Sequence, residues 1–366
     1  MKKRIGISLY PDVVNEKDNI EYLELASKYG CDILFLALLG VDGTKDEIIE
    51  RYRPYTKKAK ELGYEIIADV NPQVFKKLDV NASIFQGPID LTFFKQLKID
   101  VIRLDYGMSA MEEAFLTKNK DGIKICMNAG GISDHVGNVI EAGGDKSKLI
   151  GCHNYYPHRF TGVPLDRFKE ATKIWNKHNI RCQAFISSQQ PDAFGPWPVT
   201  EGLPTLEMHR NLPIDVQFKH LLMMDMVDDI IIGNCFASEE ELKVLQEANT
   251  SVIEFNVNLV ENLPQSMKDR LNLQLSRRND INEYLIRSLE SRLIRAETPP
   301  FNTVDIKKGD VLIDNDLYGQ YSGEVQIALK DMTNYGKTNV VGRIKEDEIL
   351  LIDYLAGGQS FVLKYS

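Results

Sequence analysis

The chain has 366 residues, 43% of them apolar and 27% charged, with a formal net charge of −9. That length leaves room for two domains, and the apolar share is enough for a full core. The negative balance argues against nucleic acid or an anionic membrane as a main partner, but it leaves open a locally basic site for a small anion. Cysteines at 31, 126, 152, 182 and 235 form no CxxC pair. They read as free thiols in a reducing compartment.

The chain opens MKKRIGISLYPD, where a short apolar run is broken by Pro11 and Asp12. This reads as a first strand rather than a signal peptide. No window of about 20 residues is free of charge, so no transmembrane helix is expected. The expectation is a cytoplasmic protein.

Eight short β-branched or apolar runs follow, each ending in polar residues: 5–10, 33–38, 64–69, 100–105, 123–128, 149–154, 182–187 and 230–234. Helical patterns lie between most of them, at 18–29 (ending at Gly30) and 45–62, for example. Ser109 with Glu112, and Ser238 with Glu241, have the spacing of capping boxes. Strand and helix alternating eight times is the pattern of an α/β protein built as a (β/α)8 TIM barrel, here over residues 1–244. Between 189 and 213 lies a long segment with five prolines. A connection of that length in a compact barrel is usually functional.

Past 245 the pattern changes. A strand is predicted over 251–259 and an amphipathic helix over 280–295, closed by Pro299 and Pro300. Short β runs follow at 311–314, 323–329, 339–344, 349–354 and 359–364. Residues 245–366 thus read as a small, mostly antiparallel β-domain with a linking helix.

Barrels of this kind place their chemistry at the carboxyl ends of the strands. Alternation puts Arg103 and Asp105 on one face of the fourth strand, pointing inward. A structural ion pair plugging the barrel is one reading, and a catalytic group is the other. Asp69 ends the neighbouring third strand, so its carboxylate and that of Asp105 are predicted roughly 5–7 Å apart, near the spacing of retaining glycosidases. Asp69 before Asn-Pro is equally a turn signal. Asp105 and Asp69 are the leading catalytic candidates, and Glu201 is the third.

Asn128, His153, Asn154 and Asn234 also sit at strand ends, suited to hydroxyl-rich or acetamido ligands or to loop capping alone. Tyr155, His158 and Arg159 follow the sixth strand and could stack on sugars and bind anions. The long segment supplies Glu207, His209 and Arg210, with Thr205 placed to cap a short helix over 207–210. Arg103, Arg159 and Arg210 are the phosphate candidates, because Glu239, Glu240 and Glu241 would repel an anion after strand eight. In the small domain Asp316, Tyr318, Tyr321 and Glu324 cluster in a glycine-rich stretch, read either as turn chemistry or as a lid over the barrel mouth. There is no HxH, HExxH, GxGxxG, Walker or GxSxG motif, so neither metal nor cofactor is expected.

Several long motifs resemble one family: GISLYP at 6–11, CHNYYPHRFTG at 152–162, EGLPTLEMHR at 201–210, GNCFASEEEL at 233–242, IRSLESR at 286–292 and IDNDLYGQYSGEVQI at 313–327. The chain resembles the bacterial 6-phospho-N-acetylmuramidases over nearly its whole length. The resemblance implies a TIM barrel followed by a cyclophilin-like β-barrel domain. It implies hydrolysis of 6-phospho-N-acetylmuramyl-β-1,4-N-acetylglucosamine to N-acetylmuramic acid 6-phosphate and N-acetylglucosamine, in cytoplasmic cell-wall recycling. The expected partner is that phosphorylated amino-sugar disaccharide. A sugar-phosphate lyase, isomerase or epimerase remains an alternative, with Lys124 as its inward lysine. So does a carbohydrate-binding protein without catalysis.

Overall fold

The computed structural model describes residues 2–38 and 41–365. Eight parallel strands close into a barrel: β1 (Arg4–Leu9), β2 (Cys31–Ala37), β3 (Glu65–Val70), β4 (Val101–Leu104), β5 (Lys124–Asn128), β6 (Leu149–Cys152), β7 (Cys182–Ile186) and β8 (Asp229–Ile232). Each strand is buried on both faces, which is why its sequence is nearly continuous in apolar residues. One face fills the interior and the other meets the helices. On β1, a Cβ at Gly6 would lie 2.9 Å from Ile231 and 3.0 Å from Ile33, so the interior is closed there by contact between neighbouring strands. On β6, a Cβ at Gly151 would lie 2.6 Å from the Trp175 ring, so this outward position lets helix Leu165–Lys177 approach the sheet.

Both predicted capping boxes form. The Ser109 hydroxyl accepts from the Glu112 amide, and Glu112 returns to the Ser109 amide. Ser238 and Glu241 do the same at the start of helix Glu239–Ala248. Such caps hold the handover from strand-end loop to helix, each contributing about 1 kcal/mol.

The chain divides into two compact units, one made of Lys3–Leu221 and Asp225–Gln246, the other mainly of Glu247–Ser366. The second unit holds seven strands: β9 (Ile253–Leu259), β10 (Leu275–Ser276), β11 (Leu285–Arg287), β12 (Asp310–Asp314), β13 (Val325–Ala328), β14 (Thr338–Ile344) and β15 (Ser360–Lys364). Their order is β10-β15-β9-β14-β12-β13-β11, antiparallel except for β15 beside β9.

Two sequence expectations fail here. Residues 280–295 form no α-helix; they split into β11 and a 3-10 turn at Glu290–Leu293. The charge spacing that suggested a helix serves another purpose, since Arg287 lies opposite Gln326 of β13 and binds the buried Glu324. Residues 349–354 form no strand but lie within 3-10 turns at Glu346–Tyr354, where Glu348 turns inward to bind the amide and side chain of Asn256.

Candidate active site

Register brings the central cluster together. Asp69 of β3 lies opposite Arg103 of β4, and the Asp105 amide donates 2.9 Å to the Val70 carbonyl. The Arg103 guanidinium is buried. Its Nη1 donates to Asp69 and lies 3.5 Å from Asp105, and its Nη2 donates to Asn154 beyond β6. Two carboxylates on one nitrogen have their nearest oxygens within roughly two hydrogen-bond lengths, about 6 Å at most.

The two acids differ in access. The Asp69 side chain is 1% exposed and that of Asp105 is 31% exposed. Burial pushes Asp69 up to about 6, against the pull of Arg103 and with a push from Asp105. One guanidinium faces two carboxylates, so the cluster carries one excess negative charge when both are ionised. The Arg103 Nε is buried with no hydrogen-bond partner among the described residues.

Aromatic rings lead from this cluster outward. Phe35 lies under Arg103, with the guanidinium carbon 5.9 Å from the ring centre. Tyr155 packs edge-on to Phe35 and Phe185 at 6.1 and 5.0 Å, and Trp197 of the long segment lies 6.2 Å beyond Tyr155. Trp197 is 44% exposed. Neither Phe35 nor Trp197 stands out in the sequence. A phase count along β2 places Phe35 inward, but no local signal marks Trp197. The acid side of the rim is fixed by Glu113, which accepts 2.9 Å from the Met108 amide in the loop after Asp105 and meets His135 at 2.6 Å.

Other expected site residues are brought to places of a different kind. His153 points outward, bonds Thr172 at 2.8 Å and stacks on Phe168; burial lowers its pKa to about 3, so it is a neutral core residue. Asn154, one residue on, returns to the inner face. His209 is buried against His220 at 2.8 Å. The Asn234 amide closes on the Ser188 amide and carbonyl, and the Asn128 side chain accepts from the Gly130 amide in its own turn. Arg210 is buried and spent on Glu207 and the carbonyls of Tyr156, Glu201, Gly202 and His158. Glu207 also accepts from the Phe160 and Gly162 amides. Together these two staple the β6 loop to the long segment, which leaves Arg210 no free donor for a phosphate. Glu207 lies in a single 3-10 turn, Glu207–His209, without a side-chain cap; the Thr205 hydroxyl instead donates to the Asn154 carbonyl.

Glu201 accepts 3.0 Å from the Arg159 amide, which with the Arg159 charge lowers its pKa. A carboxyl held ionised in this way is a poor proton donor. Arg159 is exposed, with Glu201 3.4 Å away, and His158 is exposed beside it. Glu241 fills the start of the helix after β8 from within, also accepting from Ser188 and Gln189. Lys124 sits at the amino-terminal end of the barrel, bound to Glu65 at 2.9 Å. In the second unit, Tyr318 and Tyr321 line a cavity, Asp316 caps its own loop by accepting from Thr298 and Ser322, and Glu324 is fully buried between Arg287 and Arg292. Among the described residues no cluster of three or more His, Cys, Asp or Glu is placed to hold a metal.

Fold and rim together define a TIM-barrel protein with an acid–arginine–acid cluster at the carboxyl ends of β3 and β4. The chain matches the N-terminal model of the 6-phospho-N-acetylmuramidases over residues 5–247 and their C-terminal model over 253–364. It belongs to the 6-phospho-N-acetylmuramidase family. Among solved structures it is similar to an uncharacterized B. cereus protein, at 38% identity and a TM-score of 0.89 over 100% of both chains. It is also similar to a conserved Enterococcus faecalis protein of unknown function, at 25% identity and a TM-score of 0.76, over 99% of this chain and 96% of that one. No curated protein matches the chain.

Proposed function

We propose that the barrel hydrolyses 6-phospho-N-acetylmuramyl-β-1,4-N-acetylglucosamine, releasing N-acetylmuramic acid 6-phosphate and N-acetylglucosamine, as a cytoplasmic step of cell-wall recycling. The observation that carries this reading is the Asp69–Arg103–Asp105 cluster, in a chain whose family name implies a glycosidase acting on a phosphorylated muramic sugar.

Access divides the roles. Asp105 is the acid that can meet a bound sugar, and it donates its proton to the leaving oxygen as the glycosidic bond breaks. Asp69 is covered by the protein and cannot reach a ring carbon. This favours attack on that carbon by the substrate's own 2-acetamido oxygen, followed by water. Asp69 and Arg103 are then positioning residues that fix Asp105. Tyr155 and Trp197 offer faces for the sugar rings, and exposed Arg159 with His158 suits the 6-phosphate.

The lyase reading lacks its base, because Lys124 is bound to Glu65 at the closed end of the barrel. A binding-only protein would keep the aromatic rings without needing a partly exposed acid. Incubating the protein with the phosphorylated disaccharide tests the proposal. Release of N-acetylglucosamine supports hydrolysis; an unsaturated or isomerised product, or unchanged substrate, contradicts it.

A further inference from the structure

The second unit contains a cavity of about 700 Å³ lined only by its own residues, between Asn282 and Thr338. Sheet register explains its make-up. Arg287 of β11 and Leu312 of β12 both lie opposite Gln326 of β13, and Asp314 lies opposite Thr338 of β14. Residues directly opposite share a face, as do residues two apart on a strand. One face of the sheet therefore carries Arg287, Gln326, Asp314 and Thr338 above an apolar floor of Ile306, Leu312, Ala328 and Val340. The other face, with Ile286, Val311, Ile313, Val325 and Ile327, is buried and apolar apart from Asn339 opposite Ile313, whose amide is spent on the Phe301 amide and the Pro299 carbonyl. A sheet that has one core face has no packing reason to place a buried carboxylate and amide on its second face.

The polar groups are firmly held. Asp314 accepts from Thr338 and Gln326 at 2.9 Å each, and Gln326 also donates 3.2 Å to Glu324. Burial, with Glu324 close by, pushes the Asp314 carboxyl up to about 7. Around the opening stand four tyrosines, 284, 318, 321 and 335, each at least 38% exposed. Tyr318 and Tyr321 meet at 86° with ring centres 6.5 Å apart, giving two walls at right angles. Two cations line the cavity. Arg287 is held by Glu324, which it shares with Arg292, whereas the Lys337 ammonium stands 5.5 Å over Tyr318 with no carboxylate partner among the described residues.

We propose that this cavity is a second small-molecule site, contained in the C-terminal unit, for a saccharide bearing one anionic group. The tyrosine faces take the sugar ring, while the side-chain oxygens of Gln326 and Thr338 can accept from its hydroxyls and the Asn282 amide nitrogen can donate to them. Lys337 takes the anion. The volume falls in the range of small-ligand pockets, roughly 300–1,000 Å³, and would hold one or two sugar rings. The site is independent of the barrel reading, since none of its residues belongs to the barrel unit.

Calorimetric titration of the full chain with glucose 6-phosphate, glucuronate, glucose and inorganic phosphate tests this. One sugar anion, phosphate or carboxylate, is expected to bind at least tenfold more tightly than glucose. Lys337→Ala should remove that preference, and Tyr318→Ala should weaken the sugar as well. Arg159→Ala, at the barrel mouth, should leave the binding component in place. Thermal melts of the two exposed-site variants should match the parent, which keeps a loss of binding distinct from a loss of folding. The proposal is overturned if neither sugar anion binds, if binding is indifferent to Lys337 and Tyr318, or if only Arg159→Ala abolishes it. Inorganic phosphate binding as tightly as the sugar phosphate would also overturn it.

Discussion

The barrel holds two ionic clusters, one at each end, and they are built on opposite principles. At the amino-terminal end Arg4, Lys124 and Arg181 meet Asp32, Glu65 and Asp229, three cations against three acids. Burial works to raise the Glu65 pKa, but Arg181, Arg4 and Lys124 outweigh it and hold the carboxyl at about 2. At the carboxyl end one buried arginine serves two acids, burial pushes Asp69 up to about 6, and Asp105 keeps an open side. The same residue types hold Glu65 ionised at one end, where burial still raises Asp229, and at the other leave Asp69 titrating near 6 beside a partly exposed Asp105. Charge balance and access make the difference.

Removing one cation from each end should separate them most strongly. Arg103→Met leaves Asp69 buried without a counter-charge and should cost about 3–5 kcal/mol in urea unfolding. Lys124→Met removes a partly exposed partner from a cluster that retains two arginines, and should cost about 1 kcal/mol or less. Equal losses would mean that the two clusters do not differ as described.

The pH dependence of stability should run in opposite directions. Glu65 titrates lower in the folded chain than its ordinary value of 4.5, so its contribution is present above pH 4.5 and is lost as pH falls toward 2. Asp69 titrates higher than its ordinary 3.8, so its contribution is present below pH 3.8 and is lost as pH rises through 6. Glu65→Gln should flatten the first slope and Asp69→Asn the second, each by about 3 kcal/mol. Melting curves from pH 2 to 7 read both; because Asp314 also titrates high, a slope between pH 4 and 6 that is the same in the parent and in Asp69→Asn would count against the raised titration of Asp69.

The smallest effect belongs to the exposed cation. Arg159→Ala should raise KM for the phosphorylated disaccharide about tenfold while leaving kcat within a few-fold, as expected for one charged hydrogen bond in binding. An unchanged KM would place the phosphate elsewhere.

The barrel was legible because each strand ends its apolar run in polar residues, and because alternation alone put Arg103 and Asp105 on one face. Adjacency of β3 and β4 supplied Asp69. His153 was misplaced although its strand phase was readable: the phase that turns Asn154 toward Arg103 turns His153 toward Trp175's helix. Glu207 and Arg210 were recognised as charged and near the mouth, but their partners are amides and carbonyls from other loops, which no residue pattern encodes. Trp197 and the cavity between Arg287 and Lys337 depend on contacts between segments far apart in the chain. The failed helix at 280–295 has the same origin, since a pairing with β13 overrides local charge spacing.

The central claim is that the partly exposed acid of the unbalanced cluster performs the chemistry. It is tested most directly by comparing Asp105→Asn with the parent protein in N-acetylglucosamine release from the phosphorylated disaccharide. The variant should keep its melting temperature and lose turnover at least a hundredfold, within the range of about 10²–10⁴ for general acid–base groups. A folded Asp105→Asn protein with near-normal turnover would contradict the account.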